Sequence, residues 1–331
     1  MRSTNPHGRR FAVVHLLPCV LAAGVWLPAA SQAQPPPVVT PPGATVPQRP
    51  DRPRPPPAER PQPASRERLV ELLRAATPTW DQRVLALPDN PAWTPEVSPQ
   101  RIGEALQDRE LLEVVARARL PEGVHTFRTN SAVLRFNPER GEIRYANMSR
   151  AVDAGTDVAP LPPVAEAQQR VMRVLEGLGL PRGQFLEPKT ATQMAGGGRA
   201  GSRDMEVRTE LYRLVTVQRR LGDLPVLESQ ARVVVNPRGE VHRLRVNWPQ
   251  VTMAPRSRLV EAATVVDRAA QTLLNQDTSV RAQVSGRLAY VPRDPANPSV
   301  VIPAVVYMVS DPPTPFMISV PVVEPEENDD N

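Results

Sequence analysis

Histidine is the side chain best suited to acid–base or metal chemistry at neutral pH, and it is scarce in this chain. His125 and His242 are the two histidines beyond the first 33 residues. Neither has a second His or a Cys at metal-ligand spacing, and no H-E-x-x-H motif occurs. Each lies in a predicted strand, where we expect a solvent-exposed ring. The sequence therefore predicts neither a bound metal nor a cofactor.

Motifs for nucleophilic catalysis and phosphate binding are also missing from the sequence. There is no G-x-S-x-G elbow for Ser-His-Asp catalysis, and the Gly-rich segment 195–202 lacks the G-K-[ST] that completes a P-loop. Carboxylates are numerous, and most fall on predicted helix faces or in turns; the pair that glycoside hydrolysis requires is defined by a separation in space, which a sequence does not show. We therefore predict that the chain is not an enzyme. A hydrolase of an envelope polymer, using carboxylates that the sequence does not place, is the alternative.

Arginine is the polar residue that recurs on the predicted strands, and Lys189 is the single lysine of the chain. These arginines can line a cationic sheet face that binds an anionic polymer or an acidic peptide. The alternative is a solvated face on which the guanidinium stems cover apolar surface. Arginines occur in every segment and no nucleic-acid-binding motif accompanies them, so we expect no nucleic-acid partner. The candidate binding residues are Arg213, Arg219, Arg232, Arg243 and Arg245, with Arg220 beside them.

The strands that carry these arginines are predicted from alternation and turn residues. Residues 210–219 alternate as a strand does. Residues 231–235 and 240–248 flank the turn Asn236-Pro237-Arg238-Gly239, which predicts a hairpin. An earlier hairpin is predicted in the same way, with residues 131–136 and 142–148 on either side of a turn that also begins Asn-Pro and ends in Gly.

The two hairpins suggest an internal duplication. Their turn glycines, Gly141 and Gly239, lie 98 residues apart (239 − 141 = 98), and the glutamates Glu166 and Glu261 of the helices that follow lie 95 apart (261 − 166 = 95). Similar spacing of unlike elements is typical of a tandem repeat. The alternative is that two similar hairpins arose by chance.

Helical periodicity predicts amphipathic helices over residues 65–75, 99–118, 162–178 and 257–274. Further strands are predicted over residues 284–291, 300–310 and 316–323, where internal prolines favour edge positions or bulges. The predicted fold class is α+β, with antiparallel β-sheets that are each covered by an amphipathic helix and repeated in tandem.

The N-terminus reads as an export signal followed by a spacer. Residues 1–33 combine arginines, an apolar run and small residues before a cleavage point, which is typical of a signal peptide; an uncleaved anchor is the alternative. Cys19 lies in this segment, so a cleaved chain has no cysteine and no disulfide. Residues 34–64 are proline-rich and predict a disordered, semi-stiff linker. The expected localisation is periplasmic or secreted.

These features divide the chain into six predicted parts. They are a signal peptide (1–33), a Pro-rich linker (34–64), an N-terminal α+β unit (65–160), a second unit (161–254), a third unit (255–323) and an acidic disordered tail (324–331).

Residues 162–251 resemble the PepSY and propeptide-associated modules of secreted bacterial proteins. The resemblance lies in the amphipathic helix 162–178, the segment Gly222-Asp223-Leu224-Pro225-Val226, the strand 231–236, the turn Gly239-Glu240-Val241 and the terminal Trp248. A weaker second copy covers residues 257–323. The resemblance implies a helix across an antiparallel sheet and a non-catalytic role.

The predicted function is therefore an exported, non-enzymatic binding or regulatory protein of the bacterial envelope, such as a peptidase inhibitor or a chaperone-like module. The expected partner is an envelope protein or peptide, or an anionic polymer. No membrane span is expected once the signal is cleaved. Besides the hydrolase, a structural spacer protein whose Pro-rich arm crosses the envelope is an alternative.

Overall fold

A computed structural model describes residues 62–87, 98–118, 123–152, 159–197, 207–254, 257–276, 278–311 and 315–325. The predicted signal peptide, most of the predicted linker and residues 326–331 of the predicted tail lie outside these ranges. None of the described helices is long and apolar enough to span a membrane.

The described chain has a mixed α+β fold with more strand than helix. The helices of the described ranges are α1 (Arg66–Ala76), α2 (Pro99–Leu106), α3 (Arg109–Ala116), α4 (Val164–Gly177) and α5 (Ala262–Leu274). The strands are β1 (His125–Arg128), β2 (Ala132–Asn137), β3 (Glu142–Asn147), β4 (Lys189–Gly197), β5 (Val207–Leu221), β6 (Leu224–Val235), β7 (Val241–Asn247), β8 (Thr252–Met253), β9 (Ser257–Leu259), β10 (Gln283–Asp294), β11 (Asn297–Ser310), β12 (Phe316–Pro321) and β13 (Val323–Pro325).

Seven strands form an antiparallel array in the order β1-β2-β3-β7-β6-β5-β4. The hairpins β2–β3 and β6–β7 are the two predicted from their turns, and their return strands β3 and β7 pair with each other. A second antiparallel array, β10-β11-β12, continues from the first part of β6. Two short parallel contacts, β6 with β10 and β8 with β11, depart from the expected antiparallel pattern.

Helices cover one face of the seven-strand array and form the first core with it. Along α4 the buried positions Ala167, Val171, Val174 and Leu175 follow helical spacing, and they pack with α2, α3 and the inward residues of the strands. Burial of apolar area at about 25 cal/mol per Å² is the main stabilising contribution of such a core. We call this the helix face, and the opposite side of the same seven strands the open face.

Helix α1 lies in a second core with α5, β10, β11 and β12, although it opens the predicted unit 65–160. The Ala64 N–H donates to the Thr278 carbonyl at 2.8 Å, and the Thr77 and Tyr307 hydroxyls lie 2.7 Å apart. The rest of the predicted unit joins residues 161–254 through the pairing of β3 with β7. Residues before position 160 therefore contact residues after it in both cores, and the predicted boundary does not separate two independent units.

The helix predicted over residues 99–118 is two helices, which corrects the prediction. Gln107 adopts a left-handed conformation (φ 52°) that ends α2. Asp108 then caps α3 by accepting the Leu111 N–H at 3.0 Å. The capping residue breaks the run even though the apolar periodicity continues through it.

Three further predictions for the C-terminal part need correction. Residues 257–259 form strand β9 instead of the first turn of the predicted helix, because they pair with β13. The predicted acidic tail is ordered at its start, where Glu324 lies in β13 and forms an ion pair with Arg268. Strand β11 is central rather than an edge, with Pro303 opposite Tyr290 of β10 and just beyond the register with β12, whereas Pro292 of β10 does lie at a bulge as predicted.

Candidate binding face

A row of arginines crosses the open face at right angles to the strands. In the antiparallel register Arg135 lies opposite Arg144, Arg144 opposite Arg245, and Arg245 opposite Arg232. Residues directly opposite each other in a sheet share a face, and neighbouring strands are about 4.8 Å apart. Four guanidinium groups on four consecutive strands therefore span about 14 Å. We call these four residues the basic row.

The arginines of the basic row are all exposed, and among the described residues Glu142 is the one acid in an ion pair with them. The Glu142 carboxylate lies 3.6 Å from the guanidinium of Arg144. Partial burial lowers the pKa of Arg245, and the neighbouring charges of Arg144 and Arg232 lower it further while Glu142 raises it. Like charges directly opposite each other destabilise a sheet. An anion bound across the row would relieve this repulsion.

A second row of positions lies two residues further along each strand. It contains exposed or half-buried small apolar residues: Val133, Ala146, Val234, Leu214 and Ala191. Val133 is 41% exposed, and Arg128 and Arg243 occupy the two remaining positions of the row. We call the five apolar residues the apolar row. It lies about 7 Å from the basic row, since two residues of a strand rise by that distance.

The structure brings together three of the five predicted binding residues. Arg232, Arg243 and Arg245 are exposed on the open face. Arg213 and Arg219 lie on the helix face instead, which corrects the prediction that they share a face with the others. They occupy odd-numbered positions of β5, whose neighbours Val215 and Val217 are in the first core.

The contacts of Arg213 and Arg219 are structural. Arg213 donates to the Pro162 carbonyl at 3.2 Å and to the Thr192 hydroxyl, and so fixes the entry to α4. Arg219 is 1% exposed, and burial lowers its pKa to about 10. Its Nε donates to Gln184 at 2.8 Å, and its guanidinium carbon lies 5.5 Å from the centre of the Trp248 ring. Neither arginine is available to an external partner.

Two members of the basic row were missed by the sequence reasoning. Arg135 and Arg144 belong to the earlier hairpin, whose strands alternate apolar and polar residues as clearly as those of the later one. The signal that could have found them is the similarity of the two hairpins. What the sequence does not show is that β3 and β7, about a hundred residues apart, are neighbours.

His242 is buried, which corrects the prediction of a solvated strand histidine. It is 3% exposed, stacks on Tyr212 with ring centroids 5.1 Å apart, and its Nδ1 lies 2.8 Å from the Asn147 carbonyl oxygen. His242 is separated by two residues from the inward Leu244 of β7, so the alternation of the strand turns it inward. His125, on the edge strand β1, is half-buried.

The pKa of His242 lies below its ordinary value, mainly because the ring is buried. The nearby charges of Arg243 and Arg150 act in the same direction. A histidine that resists protonation in the folded state stabilises the fold fully above the unfolded pKa of about 6.5. That contribution is lost as the pH falls through the lower folded-state pKa.

We therefore expect the free energy of unfolding to fall between pH 7.5 and pH 5 by a larger amount in the wild type than in His242→Gln. Urea denaturation measures the free energy of unfolding of each protein at both pH values. The difference between the two pH values is then compared between wild type and variant. His125→Gln, the same substitution on the edge strand β1, is the matched control. An equal change in wild type and His242→Gln would contradict the expectation.

The carboxylate best placed for chemistry on the helix face is already occupied. Asp108 is 2% exposed; it accepts hydrogen bonds from the Tyr145 hydroxyl at 2.6 Å and from the Asn147 amide at 3.0 Å besides capping α3. Burial raises the pKa of Asp108, but these hydrogen bonds and the charge of Arg150 outweigh it and lower the pKa overall. Asp108 is therefore a capping group that joins α3 to β3.

Two cavities in the described part of the chain lie beside α1 and α5. The larger, of about 410 Å³, is lined by Trp80 and residues 259–262 beside α5, and Glu261 is its single acid. The other, of about 360 Å³, lies between the exposed side chains of α1 and Asp267. In the described ranges no group of three His, Cys, Asp or Glu side chains is placed to hold a metal ion.

Comparison with known proteins gives no relative: no family model, no curated protein and no solved structure matches the chain. The resemblance of residues 162–251 to PepSY modules therefore stays a prediction from the sequence. What the chain can do follows from the geometry of its open face.

Proposed function

We propose that this chain is an exported, non-enzymatic binding protein of the bacterial envelope whose open face holds an anionic partner. The basic row carries the proposal: Arg135, Arg144, Arg245 and Arg232 stand opposite one another across four strands. Guanidinium groups form strong, charge-assisted hydrogen bonds with carboxylates and phosphates. A partner with several anionic groups can engage all four at once.

The cost of the basic row to the isolated protein supports a binding role. Opposed like charges destabilise a sheet, and Arg245 already feels the charges of Arg144 and Arg232 on either side. A solvated face needs no such arrangement, because alternating charges or uncharged polar residues would keep it soluble at no electrostatic cost. A bound anion turns the repulsion into attraction.

The tandem arrangement that we propose for the scaffold also accounts for the row. Each hairpin contributes two of its arginines, Arg135 and Arg144 from the first and Arg232 and Arg245 from the second. Both turns begin with an Asn whose side chain accepts a backbone N–H of the turn, and both end with a Gly at positive φ. A duplicated hairpin of this kind would place the two pairs side by side through the pairing of β3 with β7.

We expect Arg144→Gln combined with Arg245→Gln to weaken binding of polyglutamate by about tenfold or more, because two charge-assisted contacts at the centre of the row are lost. Fluorescence anisotropy with labelled polyglutamate measures the affinity, and the dependence on salt should become shallower in the variant. The same variant should unfold at an equal or higher urea concentration, since it removes like-charge repulsion.

The matched control for this experiment is Arg287→Gln combined with Arg293→Gln. Both arginines are exposed on β10, which is not one of the seven strands of the open face, and their loss changes the net charge by the same amount. The control should bind polyglutamate like the wild type. Equal weakening in both double variants would show that only net charge matters and would refute a site at the basic row.

A further inference from the structure

The open face carries more than charge, because the apolar row runs parallel to the basic row. Val133, Val234 and Leu214 stand on three different strands at the same level of the sheet, and Val133 is 41% exposed. Exposed apolar side chains that line up beside a charged stripe are typical of interaction surfaces. The chemistry of both rows together restricts what the partner is.

A wholly polar polyanion fits this face poorly. Polyphosphate or an acidic polysaccharide would satisfy the basic row but leave the apolar row in contact with water, with no gain from its burial. An anionic bilayer is also disfavoured, since interfacial anchoring relies on Trp, Tyr, Phe or Leu that penetrate the acyl region. The apolar row offers mainly valine and alanine, which are too short for that role.

We propose that the partner is an acidic amphipathic helix of another protein, which lies across the strands of the open face. Its acidic stripe would contact the basic row, and its apolar stripe would cover Val133, Val234 and Leu214. This inference rests on the proposed function and names the partner class for the same site. Peptide helices of this kind are a common mode of recognition when one face is apolar and the other charged.

The spacing of the basic row suits such a helix. Acidic residues one helical turn apart are separated by about 5.4 Å, whereas neighbouring strands are about 4.8 Å apart. Over the three steps from Arg135 to Arg232 the mismatch reaches only about 2 Å, which flexible arginine side chains can absorb. Arg243 interrupts the apolar row and can pair with an acid at the border of the two stripes.

The test compares two labelled peptides by fluorescence anisotropy on the exported chain without residues 1–33. The first is a helix-forming peptide with glutamates on one stripe and leucines on the adjacent one. The second keeps every glutamate and replaces each leucine with glutamine. Wild type should bind the first peptide about tenfold more tightly than the second, because only the first buries the apolar row.

Substitution of the apolar row then assigns the preference to this face. Val133→Ser combined with Val234→Ser should remove most of the difference between the peptides, because the leucines of the first peptide then lose their apolar contacts. Arg144→Gln combined with Arg245→Gln should weaken binding of both. Thermal unfolding checks that each variant is folded, and Val133→Ser alone, at the more exposed position, provides a milder second variant that should reduce the difference in part.

The possible failures are distinguishable. Equal binding of both peptides by wild type would overturn this inference and leave the proposed anion-binding function standing. Tighter binding to vesicles of phosphatidylglycerol than to the first peptide would overturn it in favour of a membrane partner. Failure of polyglutamate and of both peptides to bind would refute the proposed function itself.

Discussion

Replacing Trp248 with alanine should lower the free energy of unfolding by about 3–5 kcal/mol, the range for large-to-small changes of aromatic residues in a core. Trp248 is fully buried at the end of β7. The edge of Phe185 meets its ring with centroids 5.6 Å apart, and its indole N–H donates to Gln184 at 3.2 Å. Removing the ring leaves a cavity between the sheet and the segment that follows α4.

The loss should reach the upper part of this range because a buried cation depends on the same ring. The guanidinium of Arg219 stacks against Trp248, and burial alone already lowers its pKa to about 10. Without the ring, Arg219 borders a void instead of an aromatic face, and its attraction to the π-system is lost. Urea denaturation followed by far-UV circular dichroism measures the effect.

Trp248→Phe serves as the control for this prediction. A phenyl ring keeps most of the buried area and the contact with Arg219 but loses the hydrogen bond to Gln184, so its cost should be clearly smaller. A loss below about 1 kcal/mol for Trp248→Ala, typical of surface changes rather than core truncations, would mean that Trp248 is not packed as described.

A single added methyl group at Gly141 should have the second-largest effect. Gly141 has φ +60°, and a Cβ there would overlap the Trp248 carbonyl group and lie 2.8 Å from the Pro249 nitrogen. The left-handed conformation costs about 1–2 kcal/mol for an alanine, and displacement of a packed backbone about 1–3 kcal/mol. Gly141→Ala should therefore lower the free energy of unfolding by about 2–5 kcal/mol.

The position of Gly141 links this loss of stability to the binding face. Its carbonyl accepts the Trp248 N–H at 2.9 Å, which closes the end of the β3–β7 pair. Arg144 and Arg245 face each other a few residues further along the same pair. The variant should therefore bind polyglutamate more weakly even at temperatures at which it remains folded, because the centre of the basic row is misaligned.

Gly183→Ala is the matched control for Gly141→Ala. No atom lies within 4 Å of a Cβ added at Gly183, and its φ is not positive. The substitution should change the free energy of unfolding by no more than about 0.5 kcal/mol. Equal stability of Gly141→Ala and Gly183→Ala would contradict the close approach between the first turn and the end of β7.

Local features of the fold could be predicted from the sequence where local chemistry determines them. Both hairpins follow from an Asn-Pro turn with a terminal glycine between alternating strands. The helix over residues 162–178 follows from its apolar periodicity and differs by two residues at most from α4. The break at Gln107 and Asp108 was missed because tertiary hydrogen bonds from Tyr145 and Asn147 fix Asp108 as a cap.

The sequence predicted only part of the binding face. The errors come from the alternation of side chains along β5 and from the long sequence separation between β3 and β7. Side chains alternate between the two faces of a strand. Arg213 and Arg219 have the same parity as Val215 and Val217 in β5, so the sequence alone could have placed all four on one face. Relating β5 to β7 requires the register through β6, and the bulge near Val235 changes that register. The contribution of Arg135 and Arg144 depends on a pairing between distant strands, which no local pattern encodes.

The placement of α1 determines when the protein can complete its fold. Arg66 pairs with Asp267, Thr77 with Tyr307, and Pro63 bridges to Ser279, so the earliest described helix finds its partners about two hundred residues later. During synthesis the apolar stripe of α1 stays exposed until α5 and the final strands have been made. Such long-range contacts slow folding, and intermediates with exposed apolar surface are prone to aggregate. We therefore expect the growing chain to benefit from chaperones that keep it unfolded until its last strand has been synthesised.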